Sequence, residues 1–315
     1  MIVVCGEALM DVFVTQDTPA GVAMDARIGG SPLNVAIGLA RLRQPVAFFG
    51  AVSRGVLGDR LMSALREEGV NTDSVPRLKA PTTLGLVALD ASGVADYAFY
   101  GDAAADRLLP IDALADVPPA QAFNFGSYAM VVEPTASTLR ALVEREHERS
   151  VIAYDPNVRL NVEPDLARWR DTLAWMASRC AILKVSDEDV RRLHPGASVD
   201  VLAASWLAAG ALLVVVTRGE LGCCGWTARD RIELPAPRVQ VVDTVGAGDT
   251  FQAALLTALA EREALSRDAL CTVQHETLQA ALSFAVDAAT ITCSRRGADL
   301  PRRSELPDRN CNTGS

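Results

Sequence analysis

The feature that most limits how this chain can fold is a rhythm. Short, wholly apolar runs alternate with longer stretches whose apolar residues recur at helical spacing. Ile2–Cys5, Val46–Phe49, Phe123–Phe125, Val151–Tyr154, Ala181–Val185 and Leu212–Thr217 read as strands buried on both faces. Helices are expected from Ser31 onward and over Leu57–Glu68, Pro134–Arg149, Asp165–Ser178, Val199–Ala209, Gly248–Ala260 and His275–Cys293. A strand with no polar alternation has no solvent face, and a helix between two such strands returns the chain to start the next strand in the same direction. The pattern predicts an α/β fold of three layers, with a mostly parallel central sheet covered by helices on both sides. Ser31-Pro32 reads as a helix start, with Ser as N-cap and Pro in the first turn, and Gly69 reads as the stop after Glu68.

Two segments break the rhythm. Val12–Ile28 and Thr82–Tyr100 look like strand pairs with turns at Pro19-Ala20-Gly21 and Ala91-Ser92-Gly93, and neither is followed by a crossover helix of its own. They are expected to form a small antiparallel sheet projecting from the body. The division that follows is a large domain of residues 1–11, 29–81 and 102–307, a β lid of residues 12–28 and 82–101, and a polar, flexible tail of residues 308–315.

Composition narrows the class of function. The formal net charge of −9 argues against a partner as anionic as nucleic acid. Only Lys79 and Lys184 are lysines, and no arginine run resembles a basic arm. Seven scattered cysteines with no CxxC pair read as reduced thiols, which points to a cytoplasmic protein. His147, His194 and His275 lack zinc-site spacing. The N-terminal stretch carries Glu7 and Asp11 and no basic region, unlike a signal peptide, and no apolar run reaches the roughly 18 residues of a membrane span, so no membrane partner is expected.

The chemistry is concentrated in Asp243-Thr-Val-Gly-Ala-Gly-Asp249-Thr-Phe251, which leads into an apolar helix. Gly246 and Gly248 permit a sharp turn and close approach of a ligand. The first N–H groups of the next helix have no intrahelical partner, and with the helix dipole they make an anion site at Gly246, Ala247 and Gly248. A carboxylate in that same turn, Asp249, repels a phosphate if holding phosphate is all the site does. It makes sense where a hydroxyl must lose its proton beside a phosphoryl group whose charge the amides stabilise. A helix cap beside a glycine turn would also explain these residues. A dinucleotide fingerprint is excluded because Phe251 stands where it needs Gly, and a Walker A loop because neither lysine follows a glycine.

The whole run DTVGAGDTFQAALL resembles the C-terminal signature of the ribokinase/pfkB carbohydrate kinase family, and Gly29-Gly30-Ser31-Pro32-Leu33-Asn34-Val35-Ala36 resembles its N-terminal one. Order and separation match as well, over Val3 to about Pro301. The resemblance implies a ribokinase-like fold with a small β lid over the sugar, and ATP-dependent phosphorylation of a sugar hydroxyl with Asp249 as base.

By the same resemblance Asp11, Gly30 and Asn34 contact the sugar, with Asn157 and Arg159 of a DPNVR run that is similar to fructokinase-like members. Lys184 and Ser186 lie in a nucleotide-binding region, where Asp189 or Glu188 orders magnesium through water. That region departs from the family's Asn-x-x-Glu, reading Ser186 and Asp189. Thr217, Gly219 and Gly222 resemble the loop that makes room for ribose and phosphates, and Asp243 with Ser294–Gly297 resembles a potassium site. Tyr97 and Phe99 are lid side chains expected to set specificity. GGSPLNVA, DPNVR and the segment from Phe99 to Asp106 look most like bacterial fructokinases, although Gly101 stands where those often carry Arg. Fructose, phosphorylated at its 6-hydroxyl, is the expected acceptor. Kinases of 2-keto-3-deoxygluconate, ribose or nucleosides, and a non-catalytic sugar or nucleotide sensor, remain alternatives. Lid strands of such proteins often pair between subunits, which implies a homodimer.

Overall fold

The computed structural model describes residues 1–89 and 95–307, and the side chains of residues 1–87 and 98–307. In chain order the first half comprises β1 (Ile2–Cys5), β2 (Leu9–Thr18), β3 (Gly21–Gly29), α1 (Ser31–Arg41), β4 (Val46–Phe49), β5 (Val52–Ser53), α2 (Val56–Glu67), β6 (Arg77–Leu78), β7 (Leu84–Leu89) and β8 (Ala95–Tyr100). Next come β9 (Ala122–Gly126), α3 (Thr135–Glu146), β10 (Val151–Asp155), α4 (Leu166–Ala177), β11 (Ile182–Ser186), α5 (Asp187–Leu193), α6 (Val199–Ala209) and β12 (Leu213–Thr217). The chain continues through β13 (Cys223–Trp226), β14 (Arg231–Leu234), α7 (Ala247–Glu261), α8 (Arg267–Cys271) and α9 (His275–Cys293).

Eight strands make the central sheet, in the order β14-β13-β12-β11-β10-β9-β1-β4. From β4 to β12 every pairing is parallel. Alternation along β1 shows why no polar face was visible: Ile2 and Val4 enter one core, Val3 and Cys5 the other. Helices α1, α2, α7 and α9 cover the first core, and α3, α4, α5 and α6 the second. The three layers are those the apolar runs predict. The sequence reading missed the hairpin β13–β14, which extends the sheet antiparallel beyond β12. Gly222 and Gly225 break its apolar pattern, and no crossover helix announces it.

A separate four-stranded sheet has the order β3-β2-β7-β8. It corrects the antiparallel expectation. Each hairpin is antiparallel, but the two join through β2 and β7, which run parallel. Both hairpins leave the body in the same direction, so their first strands must align. The expected turn at Ala91-Ser92-Gly93 and the tail 308–315 lie outside the described residues.

Helix α7 carries Asp249 in its first turn. Every residue from Asp249 to Leu259 is buried, and α7 packs between α1 and α9. Its Phe251, Leu255, Leu256 and Leu259 are each at most 3 % exposed. Burying each such side chain contributes on the order of 1.5–3 kcal/mol, so the helix start that carries Asp249 is firmly anchored. Among the described residues no helix is long and apolar enough to cross a membrane.

Candidate active site

Parallel strands deliver their C-terminal ends to one edge, and ligands of open α/β sheets bind there. Glu7 follows β1, Ser127 follows β9, Asp155 ends β10, Ser186 ends β11 and Thr217 ends β12. Helix α7 starts over this edge. Gly246 is its N-cap, left-handed at φ 78, and a Cβ there would lie 2.7 Å from the Ala298 side chain. Only glycine suits that position. Among the described residues the N–H groups of Gly246, Gly248 and Asp249 have no backbone acceptor, whereas Ala247 N–H donates to the Thr244 carbonyl at 3.2 Å. Of the three amides expected to face an anion, Ala247 is therefore spent on the turn.

Asp249 is 8 % exposed and is held by α1 from across the chain. Ser31 Oγ donates to its Oδ1 at 2.6 Å and Asn34 Nδ2 to its Oδ2 at 2.8 Å. This corrects the reading of Ser31 as an N-cap. The cap residue of α1 is Gly30, at φ 105, and Ser31 spends its hydroxyl on Asp249. A side chain at Gly30 would meet the Glu7 carbonyl oxygen at 2.8 Å. Burial pushes the Asp249 carboxyl above its usual range, against the two hydrogen bonds and the nearby Lys184 charge, which pull it down. Among the described residues no arginine pairs with Asp249.

Asp11, on β2, is lodged between two glycines. A Cβ on Gly29 would lie 2.2 Å from Asp11 Oδ2, and one on Gly85 would lie 2.9 Å from Oδ1. Burial raises the Asp11 carboxyl to about 6, opposed by Arg159 and reinforced by Asp249. Arg159 folds back on its own loop, donating to the carbonyls of Asn157 and Val158 at 3.3 and 3.1 Å. Asn157 adopts φ 40, in the left-handed region that Asn tolerates better than most residues. Phe99 meets Tyr128 edge-on, with centroids 6.4 Å apart. Tyr97 lies on β8, and its side chain is outside the described residues. At Gly101, a Cβ would stand 2.6 Å from the guanidinium of Arg107, so the space beside this glycine is taken by an arginine from six residues on.

Lys184 and Asp155 form a buried ion pair of 2.5 Å, at 3 and 5 % exposure. Ser186 caps α5, accepting from Asp189 N–H at 3.0 Å. Asp189 is buried and held at about 6, mainly by burial and the Asp155 charge. Its carboxylate accepts one long hydrogen bond, from Val158 N–H at 3.4 Å, and lies 3.9 Å from the Arg192 guanidinium, too far for a hydrogen bond. A buried acid so sparsely satisfied suits a cation or the waters around one. Glu188, the other candidate, is exposed on α5 and pairs with Arg192 at 2.6 Å. Among the described residues no three His, Cys, Asp or Glu are arranged to ligate a metal directly. Asp243 accepts from Val245 N–H at 3.0 Å and Gly297 N–H at 2.8 Å, tying the loop before α7 to the loop after α9.

The glycines of the Thr217–Gly222 loop differ from the expectation that both make room for ligand. Gly219 does face open space, but a Cβ at Gly222 would lie 2.0 Å from the Leu234 carbonyl oxygen. The close passage of the chain at the end of β14 by itself requires glycine at Gly222. Glu7 was not among the site residues expected from the sequence. It is 1 % exposed, Ser127 hydrogen-bonds it, and burial drives its carboxyl to about 8. Asp106 was likewise missed. It is buried and bonded to Thr83 Oγ1 at 2.6 Å and Tyr128 OH at 2.9 Å. An acid just after a strand, like Glu7, or within a short connecting turn, like Asp106, is too common a pattern to mark a site.

Comparison with known proteins places this geometry. The family model described as pfkB family carbohydrate kinase matches residues 1–305. A fructokinase of Rhizobium leguminosarum bv. trifolii is 35% identical over 280 residues, 89% of this chain and 86% of that protein. A fructokinase of Solanum tuberosum is 34% identical, with 97% and 94% covered. The crystal structure of a fructokinase with bound ATP from Xylella fastidiosa superposes with a TM-score of 0.87 at 30% identity, covering 96% of both chains. With residues 1–305 matched, the ribokinase-like architecture shared and both signatures gathered at one sheet edge, the chain belongs to the pfkB family of carbohydrate kinases and is a sugar kinase, a phosphotransferase.

Proposed function

We propose that this sugar kinase transfers the γ-phosphoryl of ATP to the 6-hydroxyl of fructose, with Asp249 as general base. The observation that carries the reading is the placement of Asp249. One buried carboxylate, aimed by Ser31 and Asn34, stands in the same helical turn as the free N–H groups of Gly246, Gly248 and its own. The acceptor O–H gives its proton to Asp249 as the new O–P bond forms. The bond from the γ-phosphorus to the bridging oxygen breaks, and ADP leaves. The amides stabilise the charge that builds on the phosphoryl oxygens. General-base assistance contributes about 10²–10⁴-fold in rate.

Asp11, wedged between Gly29 and Gly85, would accept hydrogen bonds from sugar hydroxyls, with Gly30, Asn34, Asn157 and Arg159 around the same acceptor. Phe99 and Tyr97 would close it from the small sheet, acting as a lid. Thr217 and Gly219 would border the nucleotide. ATP as donor is supported by the ATP-bound fructokinase that shares this fold, and fructose by the relatives named above. Magnesium, when bound with the triphosphate, neutralises its charge, and Asp189 and Ser186 are the residues that would hold it through water. The carbonyls beside Asp243 and of Ser294–Gly297 would hold potassium. A homodimer through the small sheet is supported by exposed Val14 and Met24, cross-strand partners, and by Val22 and Tyr100.

The test is an ADP-release screen over fructose, ribose, 2-keto-3-deoxygluconate and nucleosides, with and without potassium. The reading expects kcat/KM for fructose to exceed that of every other acceptor by at least tenfold. A sugar acid or nucleoside in first place refutes the acceptor, and no ADP release with any acceptor refutes the kinase chemistry in favour of a sensor.

A further inference from the structure

Lys184 occupies a place that its position in a strand does not suggest. It is the third residue of β11, yet its ammonium lies 3.1 Å from where a Cβ of Gly248 would be. Gly248 has no left-handed φ, so backbone freedom is not what demands glycine there. Any side chain at that position would press on the ammonium. The charge is therefore held against the first turn of α7, on the ground of the proposed anion site.

What holds it there is Asp155. The end of β10 is next to β11, and Asp155 Oδ2 takes the ammonium at 2.5 Å. A buried ion pair replaced by apolar residues is often neutral or stabilising, so stability alone is weak reason for this one. Asp155 Oδ1 is also buried, and it has no partner among the described residues. The pair is incompletely satisfied, which suits a site that completes its interactions with ligand better than a finished structural bridge.

The geometry points to Asp155 as a positioning residue for phosphoryl transfer, which holds the Lys184 ammonium under the amides of Gly246 and Gly248 so that a full positive charge meets the transferring phosphoryl group. The inference rests on the phosphoryl site proposed above and adds to it. The helix dipole supplies only about half an elementary charge at its N-terminus. A compact ammonium supplies a whole one, in a site dry enough for it to act strongly. The same charge favours ionised Asp249, while Asp155 and Asp11 oppose that ionisation. Ser31 and Asn34 are the other groups on Asp249.

The test compares the Asp155→Asn/Lys184→Met double variant with Asp155→Glu. The double variant leaves no unpaired buried charge, so it can fold. Asp155→Glu keeps the pair but moves the ammonium by about one methylene. Folding is checked by circular dichroism and ATP binding by calorimetry. The double variant is expected to lose about 10²–10³-fold in kcat, the cost of removing one transition-state donor. Asp155→Glu should lose at least tenfold, and the KM for sugar should stay within threefold in both. A structural bridge would lower stability and leave kcat of the folded enzyme alone. Either variant, folded and binding ATP, with kcat within threefold of the parent overturns the inference. Asp249→Asn run in parallel separates the two readings. If it too is active, the phosphoryl site itself is misplaced. If it is inactive while both pair variants are active, only the role of Asp155 and Lys184 falls.

Discussion

Asp249→Asn is expected to remove the proposed base and little else, for reasons of hydrogen-bond geometry. In the parent both carboxylate oxygens accept, one from Ser31 Oγ–H and one from Asn34 Nδ2–H. An amide can accept at only one of them. The Asn34 amide needs an acceptor, so the new carbonyl oxygen should face it. The new NH₂ then faces Ser31, whose hydroxyl can rotate and accept. Both hydrogen bonds survive with one reversed, and a buried carboxylate that burial destabilises is gone. Folding stability should therefore change by no more than about 1 kcal/mol, the scale of one hydrogen bond. The rate is another matter. Losing general-base assistance costs about 10²–10⁴-fold, or about 2.7–5.4 kcal/mol of barrier at 1.36 kcal/mol per decade. The measurement is steady-state ADP release with fructose at saturating ATP, beside a thermal melt and ATP titration of the same preparation. A variant that melts with the parent, binds ATP and retains kcat within tenfold would refute the assignment of the base.

Three further outcomes are expected. Ser31→Ala deletes a hydrogen bond that lowers the Asp249 pKa, so the acidic limb of the kcat profile should move to higher pH, and a shift downward or none would count against that bond. Gly29→Ala puts a methyl where Asp11 Oδ2 now is, at 2.2 Å; the sugar KM should rise at least tenfold with the ATP KM unchanged, measured by varying each substrate in turn. Glu7 is raised from 4.5 to about 8 in the folded state, so the folded chain binds the proton more tightly than the unfolded one. Its stabilising contribution is complete below pH 4.5 and is lost as pH rises through 8. Urea titrations of Glu7→Gln against the parent should show a gap that widens in the variant's favour from pH 5 to pH 9, and parallel curves would contradict the buried-acid account.

The body of the fold was legible because its signals are local. Apolar runs without alternation mean strands with two buried faces, and the bounds of β1 and β4 coincide with such runs, as those of α6 and α9 coincide with stretches of helical spacing. The glycine turn before α7 was legible for the same reason, since Gly246 needs its conformation from its own neighbours. The parallel junction of β2 with β7 was not, because two hairpins seen separately do not say how they meet. Helix α7 gave no orientation either, since a helix buried on every side has no polar stripe to read.

By itself the amino-acid order determined the layered α/β class, the glycine turn at the start of α7 and the acid beside it. The tertiary structure alone decided what that acid can do. Ser31 and Asn34 reach Asp249 from 218 and 215 residues away, Lys184 arrives from β11 and Asp155 from β10. Hydrogen-bond direction and charge at a few ångströms set a carboxylate's chemistry, and no spacing along the chain records which distant residues the packing will bring to it.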